Sequence, residues 1–384
     1  MRICFFSAQY LPTVGGVERY TYNLAKQIIA AGHEALVVTS ALPGLPAHEI
    51  GSDGIEIYRL PALLFMKGRF PVPLPCPSFH TLAKQLWKTP IDLCLIQTRF
   101  YVSSLYAARQ CSKRNIPSIV VDHSTGHLPM GSSLLNWAGA RYEHFAAWYL
   151  QRYCTHYFGV SKAVSQWLGH FGIKAQGQLY NAVDPSAIRS IAHAEAAVDW
   201  RQRLGLCPET HLIASLGRLI PEKGVPQLIE AFQKAKLEGC ALIVAGDGPL
   251  MSKLKENCPH KVYLVGSIAY PQALQLLQQA QVYCLPTFYA EGFPTTFLEA
   301  AACGCPIITT HTGGSGELLP DSSYGLQLEG PDPDALAQAL SFALSNPSWR
   351  VQAAQKTGQL LEQNFTWEAV SQHLLKIAKE LASR

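Results

Sequence analysis

The feature that most constrains this chain is a rhythm: short apolar runs alternate with amphipathic stretches of helical period through both halves of the sequence. A short apolar run bounded by turn residues suits a strand buried on both faces. The amphipathic stretch that follows covers one of those faces, so the rhythm describes parallel sheets with crossover helices. In the first half the expected strands are 3–7, 35–39, 55–60, 93–97, 118–121 and 157–160. A helix at 17–31 buries Leu24, Ile28 and Ala31, and Gly32 stops it. In the second half strands are expected at 212–216, 241–245, 262–264, 282–285 and 307–309, with helices at 225–236, 249–257, 271–280 and 295–302. The rhythm restarts after Asn181-Ala182-Val183-Asp184-Pro185, and 384 residues exceed one ordinary core. The expected division is a domain at 1–185, a second at 186–365, and a tail at 366–384. The tail carries the apolar stripe Val370, Leu374, Ile377 and Leu381 and is expected to pack back toward the N-terminal domain. Five prolines and Gly68 between residues 61 and 77 predict a long irregular loop.

Composition narrows the functional classes. No stretch reaches the roughly 18 uninterrupted apolar residues of a membrane span, and the apolar run at 3–6 is too short for a signal peptide. The expected location is the cytosol. Eleven cysteines, an odd number and scattered, fit that compartment; Cys4, Cys94, Cys240 and Cys284 lie inside apolar runs as small hydrophobes. No Cys/His cluster has zinc spacing, so neither disulfides nor a metal site is expected. Residues 1–185 carry a net +7 and the remainder −3. The basic half fits an anionic partner, phosphate or a charged lipid surface, or else an ordinary fluctuation of surface charge. The Pro-rich stretch with Lys67 and Arg69, and the aromatics Trp137, Tyr142, Phe145, Trp148 and Tyr149, could meet a membrane, although aromatics at such spacing are more often core. A nucleic-acid partner is not expected.

In open parallel sheets ligands sit outside the carboxyl ends of the strands, so the residues after each strand matter most. After the first strand come Gly15-Gly16-Val17-Glu18, where backbone can approach an anion at a helix start; a tight turn is an equal reading. The full G-x-G-x-x-G spacing is missing, so a nicotinamide cofactor is not supported. After 212–216 come Gly217-Arg218 and Glu222-Lys223-Gly224, with a guanidinium fork and a compact ammonium suited to phosphate oxygens. After 241–245 comes Gly246-Asp247-Gly248-Pro249, with Pro249 suited to the first helical position. After 282–285 come Glu291-Gly292-Phe293-Pro294-Thr295-Thr296-Phe297-Leu298-Glu299, followed by Ala300 to Ala302, Cys303 and Gly304. Two carboxylates thus bracket a helix start. A nucleotide sugar needs acceptors for its hydroxyls beside donors for its diphosphate, and this set supplies both. The acids could equally serve the helix dipole alone.

Taken together these motifs resemble family 4 of the retaining glycosyltransferases, over essentially the whole chain. The resemblance implies a GT-B fold, an α/β architecture of two Rossmann-like domains whose parallel sheets face each other across a deep cleft. It implies transfer of a hexose from a nucleoside-diphosphate sugar to a hydroxyl acceptor, and the basic, aromatic first half points to a saccharide or lipid-linked acceptor in cell-envelope polysaccharide or glycolipid synthesis. On the matching positions, Arg218 and Lys223 would hold the diphosphate, Glu299 the ribose hydroxyls, and Glu291 a hydroxyl of the sugar. Gly15 and Gly16 would bring backbone N–H groups to the phosphate; Gly246 and Asp247 line the donor side. His123, favoured over His127, would lie against the sugar. One departure stands out: the family has Gly where this chain has Pro294, which lacks an N–H. Placed as the first helical residue, Pro294 would leave Thr295 and Thr296 to donate. The implied chemistry is metal-independent and needs no cofactor beyond the donor substrate. Asp332-Pro333-Asp334 fits an Asp-x-Asp metal motif on paper but reads as a helix cap. The competing readings are a non-catalytic nucleotide-sugar-binding protein and a nucleotide-sugar epimerase.

Overall fold

The structure is a computed structural model that describes the chain apart from Val14, Pro129, Met130, Glu195, Ala196, Ala290 and Arg384; of Lys67 it describes the backbone alone. Two compact units form, Met1–Asn181 with Trp367–Arg384, and Ala182–Thr366.

In the first unit the strands are β1 (Arg2–Phe6), β2 (Glu34–Ser40), β3 (His48–Ile50), β4 (Glu56–Leu60), β5 (Ala62–Phe65), β6 (Phe70–Pro73), β7 (Leu93–Gln97), β8 (Ser118–Asp122), β9 (Tyr157–Gly159) and β10 (Gly177–Gln178). Eight of them build one sheet in the order β10-β9-β8-β7-β1-β2-β4-β3, parallel except for the edge strand β3. Ile3 pairs with Ala35 on one side and with Leu93 on the other. The apolar runs are continuous because these central strands are covered on both faces. The strand order reverses between β1 and β7, so the crevice for a ligand lies beyond their carboxyl ends. The helix Trp367–Ala382 packs on the helix Gly16–Ala30, with Trp367 5.5 Å edge-on from Tyr20.

In the second unit β11 (His211–Leu216), β12 (Cys240–Ala245), β13 (Val262–Gly266), β14 (Val282–Leu285), β15 (Ile307–Thr310) and β16 (Leu326–Leu328) form an all-parallel sheet ordered β13-β12-β11-β14-β15-β16. Its reversal falls between β11 and β14. Both units are Rossmann-like in this respect. Among the described residues no helix is long and apolar enough to cross a membrane.

The expected elements recur within a residue or two, with four corrections. Ala31, expected on the buried face of the first helix, is its exposed C-cap residue. The stretch 61–77 is not irregular: β5 and β6 pair as an antiparallel ribbon around the 3-10 turn Met66–Gly68, and a helix starts at Pro77. A two-stranded ribbon has open edges on both sides, so Pro71 and Pro73 remove N–H groups that a central strand could not spare. Pro249 does not open a helix; the helix is the shorter Met251–Glu256. Three of the five aromatics expected to favour the core are exposed, Trp137 at 61%, Phe145 at 52% and Trp148 at 49%. The side chain of Lys67 lies outside what is described. Asp332 does cap the helix Pro333–Ser345, its carboxylate accepting from the Ala335 N–H at 2.9 Å, and Asp334 pairs with Lys234 at 2.9 Å.

Candidate active site

In the second unit the loops after β11 and β14 flank the switch point, and hydrogen bonds join them. The Glu222 carbonyl accepts from the Phe288 N–H at 2.8 Å and from the Thr287 hydroxyl at 3.2 Å. Pro221–Lys223 form a single 3-10 turn, and Gly224 follows at φ +71°. A Cβ at that position would run into the Pro286 carbonyl oxygen, so glycine is required for the two loops to meet. The loop after β12 closes on the same edge: the Leu219 N–H donates to the Asp247 carbonyl at 2.9 Å. A Cβ on Gly246 (φ +147°) would strike the Gly217 carbonyl.

This zipped backbone brings the charged residues together. The ammonium of Lys223 forms an ion pair with the Glu291 carboxylate, with the two side chains 9% and 19% exposed. Arg218, exposed, places its guanidinium 5.6 Å from the centre of the Tyr289 ring, and the Lys223 ammonium is 5.8 Å from the same centre. Tyr289 is the residue that sequence reasoning missed. It is fixed through its backbone: its N–H donates to the Thr287 hydroxyl at 3.2 Å, and its carbonyl accepts from the Thr312 hydroxyl at 2.9 Å. Its signal was present as an aromatic two residues before Glu291, but nothing in the sequence placed both cations over one ring.

The helix Thr295–Ala302 begins where expected, yet Pro294 is its N-cap residue, not its first helical residue (φ −64°, ψ 117°). The extended ψ keeps Pro294 outside the helix, and Thr295 and Thr296 head it, in the turn whose N–H groups have no intrahelical acceptor. The buried phenol of Tyr283 donates to the Leu216 carbonyl at 3.3 Å; burial raises that phenol's pKa, Thr296 opposes the rise, and Glu299 and Glu291 add to it. Both glutamates therefore lie within electrostatic reach of one buried ring. Asp247 is exposed, and its carboxylate accepts from the Gly248 N–H at 2.7 Å, closing its own turn.

Gly15, Gly16 and His123 belong to the first unit and gather at the carboxyl end of its sheet. Gly15 is the N-cap residue of the helix that Gly16 opens, with the buried carboxyl of Glu18 folded beside it. Desolvation raises the Glu18 pKa. Tyr20 of that helix lies 4.9 Å edge-on from the His123 ring, whose Nε2 is 2.7 Å from Gln97 Oε1. Desolvation lowers the His123 pKa to about 4, partly opposed by Asp122, so the imidazole is neutral at pH 7. Beneath it Arg99, fully buried, binds Asp122 and Glu143 at 2.6 Å each. Burial alone would raise the Asp122 pKa, but Arg99 and the Ser124 N–H hold it below the ordinary value. The other carboxylate oxygen of Asp122 accepts from the His123 N–H at 2.8 Å. His127, the alternative, sits apart among Trp167, His170 and Phe171. Chemically, the second unit offers clustered cations beside carboxylates, suited to an anionic group with hydroxyls next to it, and the first offers a neutral imidazole held in place.

Two family descriptions match: Glycosyltransferase Family 4 over residues 14–187, and Glycosyl transferases group 1 over residues 198–360. An uncharacterized glycosyltransferase of Methanocaldococcus jannaschii is 21% identical over all of this chain and 99% of its own length. A GDP-mannose-dependent monoacylated alpha-(1-6)-phosphatidylinositol monomannoside mannosyltransferase of Corynebacterium glutamicum is 29% identical over 46% of this chain and 49% of its own. Among solved structures, Anabaena HepE in complex with UDP superposes with a TM-score of 0.73 at 19% identity, covering 99% of this chain and all of that one. The chain belongs to family 4 of the glycosyltransferases and has the GT-B type of fold.

Proposed function

We propose that the protein transfers a hexose, with retention and without a metal, from a nucleoside-diphosphate sugar to a hydroxyl acceptor on a saccharide or a lipid-linked sugar. The observation that carries this reading is the meeting of Arg218, Lys223 and Glu291 around Tyr289 at the switch point of the second sheet. Departure of a nucleoside diphosphate concentrates negative charge on its phosphate oxygens. Arg218 offers a planar fork to that charge and Lys223 a compact ammonium with three donors, enough to keep Glu291 and serve a phosphate at once. The first-turn amides of Thr295 and Thr296 add donors. Glu291 accepts from a hydroxyl of the sugar and Glu299 from the ribose, while Gly246 and Asp247 let backbone approach the donor; on the first unit Gly15 and Gly16 offer backbone N–H groups suited to a phosphate. A dissociative transition state then needs no protein nucleophile. The departing phosphate takes the acceptor's proton, and the protein's part is charge stabilisation. His123, neutral at pH 7, suits contact with sugar hydroxyls.

On the helix Ser133–Leu150, Leu134, Leu135, Trp137, Phe145 and Trp148 are exposed, with Arg141 5.5 Å from the Trp137 ring centre and Arg152 3.8 Å from that of Trp148. Phe70 of the ribbon packs 5.8 Å from Tyr142, and Leu63, Leu64, Phe65 and Met66 of the ribbon are exposed as well. Apolar rings with arginines stacked on them suit the interface of an anionic bilayer, and that surface supports the reading of a lipid-linked acceptor on the inner face of a membrane. The phosphatidylinositol-linked acceptor in the name of the Corynebacterium relative accords with it.

The test is a panel of nucleoside-diphosphate sugars with saccharide and lipid-linked acceptors, scored for nucleoside diphosphate release and for the anomeric configuration of the product. Arg218→Ala should lower turnover by about 10²-fold or more, with little loss of stability because the side chain is exposed. Binding without release would favour a non-catalytic protein, and epimerised donor in the absence of acceptor would favour an epimerase.

A further inference from the structure

Three histidines distant in sequence meet at one corner of the first unit. His127 follows β8, His144 stands on the helix Ser133–Leu150, and His170 lies in the 3-10 turn Gly169–Phe171. One ring nitrogen from each lies within 4.8 Å of the others. Trp167 stacks on His170 at 4.7 Å and meets His127 edge-on at 5.2 Å, while Phe171 borders all three rings. The collar holds the imidazoles together although protonated rings would repel. Nδ1 of His127 makes no hydrogen bond, although Glu143 Oε2 stands 3.3 Å away. A carboxylate beside an imidazole is the usual outer partner of a histidine metal ligand.

We propose that His127, His144 and His170 bind one divalent transition-metal ion of the zinc, cobalt or nickel class, at a site separate from sugar transfer. Three imidazole nitrogens select this class over magnesium or calcium, which take oxygen ligands. Tetrahedral zinc with nitrogen at about 2.0–2.1 Å needs ligand atoms about 3.4 Å apart. Rotation of the exposed His144 and His170 side chains closes the present triangle to that size. The fourth position remains for water. A bound ion ties the segment after β8 to the helix and the 3-10 turn. Glu143, beside His127, also pairs with Arg99, which in turn holds Asp122 under the His123 backbone.

The experiment uses untagged full-length protein, stripped with a chelator and then titrated with Zn²⁺ by calorimetry and with Co²⁺ by visible absorption. The expected result is one equivalent bound, with Co²⁺ giving the d–d bands of four-coordinate nitrogen ligation. His144→Ala and His170→Ala should each weaken binding by roughly tenfold or more, since even outer partners are worth 10–100-fold. Cys207→Ser/Cys258→Ser, removing two exposed thiols, should change nothing. No saturable binding, unchanged affinity in either histidine variant, or a thiolate charge-transfer band in the wild-type Co²⁺ spectrum would overturn the proposal. The wild-type spectrum needs no variant to fold.

Discussion

Replacing Lys223 by alanine separates what its ammonium does for the fold from what it does in the proposed reaction. In the folded protein it neutralises Glu291, and the two side chains keep only 9% and 19% of their surface in water. Lys223→Ala takes the opposite charge away from that carboxylate, and a lost hydrogen bond to a charged group costs about 1.5–3 kcal/mol. A fold stabilised by about 5 kcal/mol, the low end for proteins, would still have fewer than about one molecule in twenty unfolded. Loss of a charge-stabilising donor from the transition state costs about 2.7–4 kcal/mol, or about 10²–10³-fold in turnover. Unfolding therefore cannot account for the loss of activity. Lys223→Ala/Glu291→Ala also removes the half-buried carboxylate that lost its counter-charge and should recover about 1–2 kcal/mol of the stability, while turnover stays at or below that of the single variant. Urea denaturation and nucleoside diphosphate release, on whichever donor the wild type turns over, measure the two quantities. Turnover that recovers in parallel with stability in the double variant would refute the reasoning and leave Lys223 a structural residue.

Gly224→Ala forces a side chain into left-handed backbone and against the Pro286 carbonyl, and should destabilise the protein by about 1–3 kcal/mol in urea melts. For His123 the native pKa lies near 4, below the unfolded value, so between about pH 6.5 and 4 the unfolded chain binds the extra proton. Stability should fall as pH drops through that window. His123→Gln should flatten this slope by an amount on the order of 2–3 kcal/mol over the window, read as the difference between wild-type and variant urea midpoints. Trp137→Ser/Trp148→Ser should reduce flotation with anionic vesicles by roughly tenfold, since each ring offers about half its surface to a bilayer. Unchanged flotation would remove this face from membrane contact.

Much of the fold was legible because buried parallel strands need continuous apolar runs, and those runs survive any reading frame of tertiary contacts. Leu212 to Leu216 and Ala241 to Ala245 could scarcely be anything else, and the glycines after them mark where the chain turns. What escaped the sequence depends on neighbours. Pro71 and Pro73 argue against a sheet interior but not against a ribbon with free edges. Trp137 and Trp148 have the spacing of core residues, and only the packing of Ala146, Ala147 and Leu150 shows that the opposite face is the buried one. The carboxylates at 291 and 299 and the cations at 218 and 223 were legible as a chemical set. Tyr289, which collects the cations, was not, because its partners come from the loop after a different strand, about 70 residues earlier in the chain. The histidine cluster escaped for the same reason: its three members come from three separate elements.

The helix Trp367–Ala382 has a consequence for how the chain is made. A ribosome releases residues 1–181 first, then the whole of 182–366, and only afterwards the segment whose Trp367 covers Tyr20. The second unit is an uninterrupted stretch and can close as it emerges; the first must wait, with one flank of its opening helix bare, until residues 367–382 have emerged as well. Release of a nascent chain before that point would leave an apolar groove for chaperones to guard.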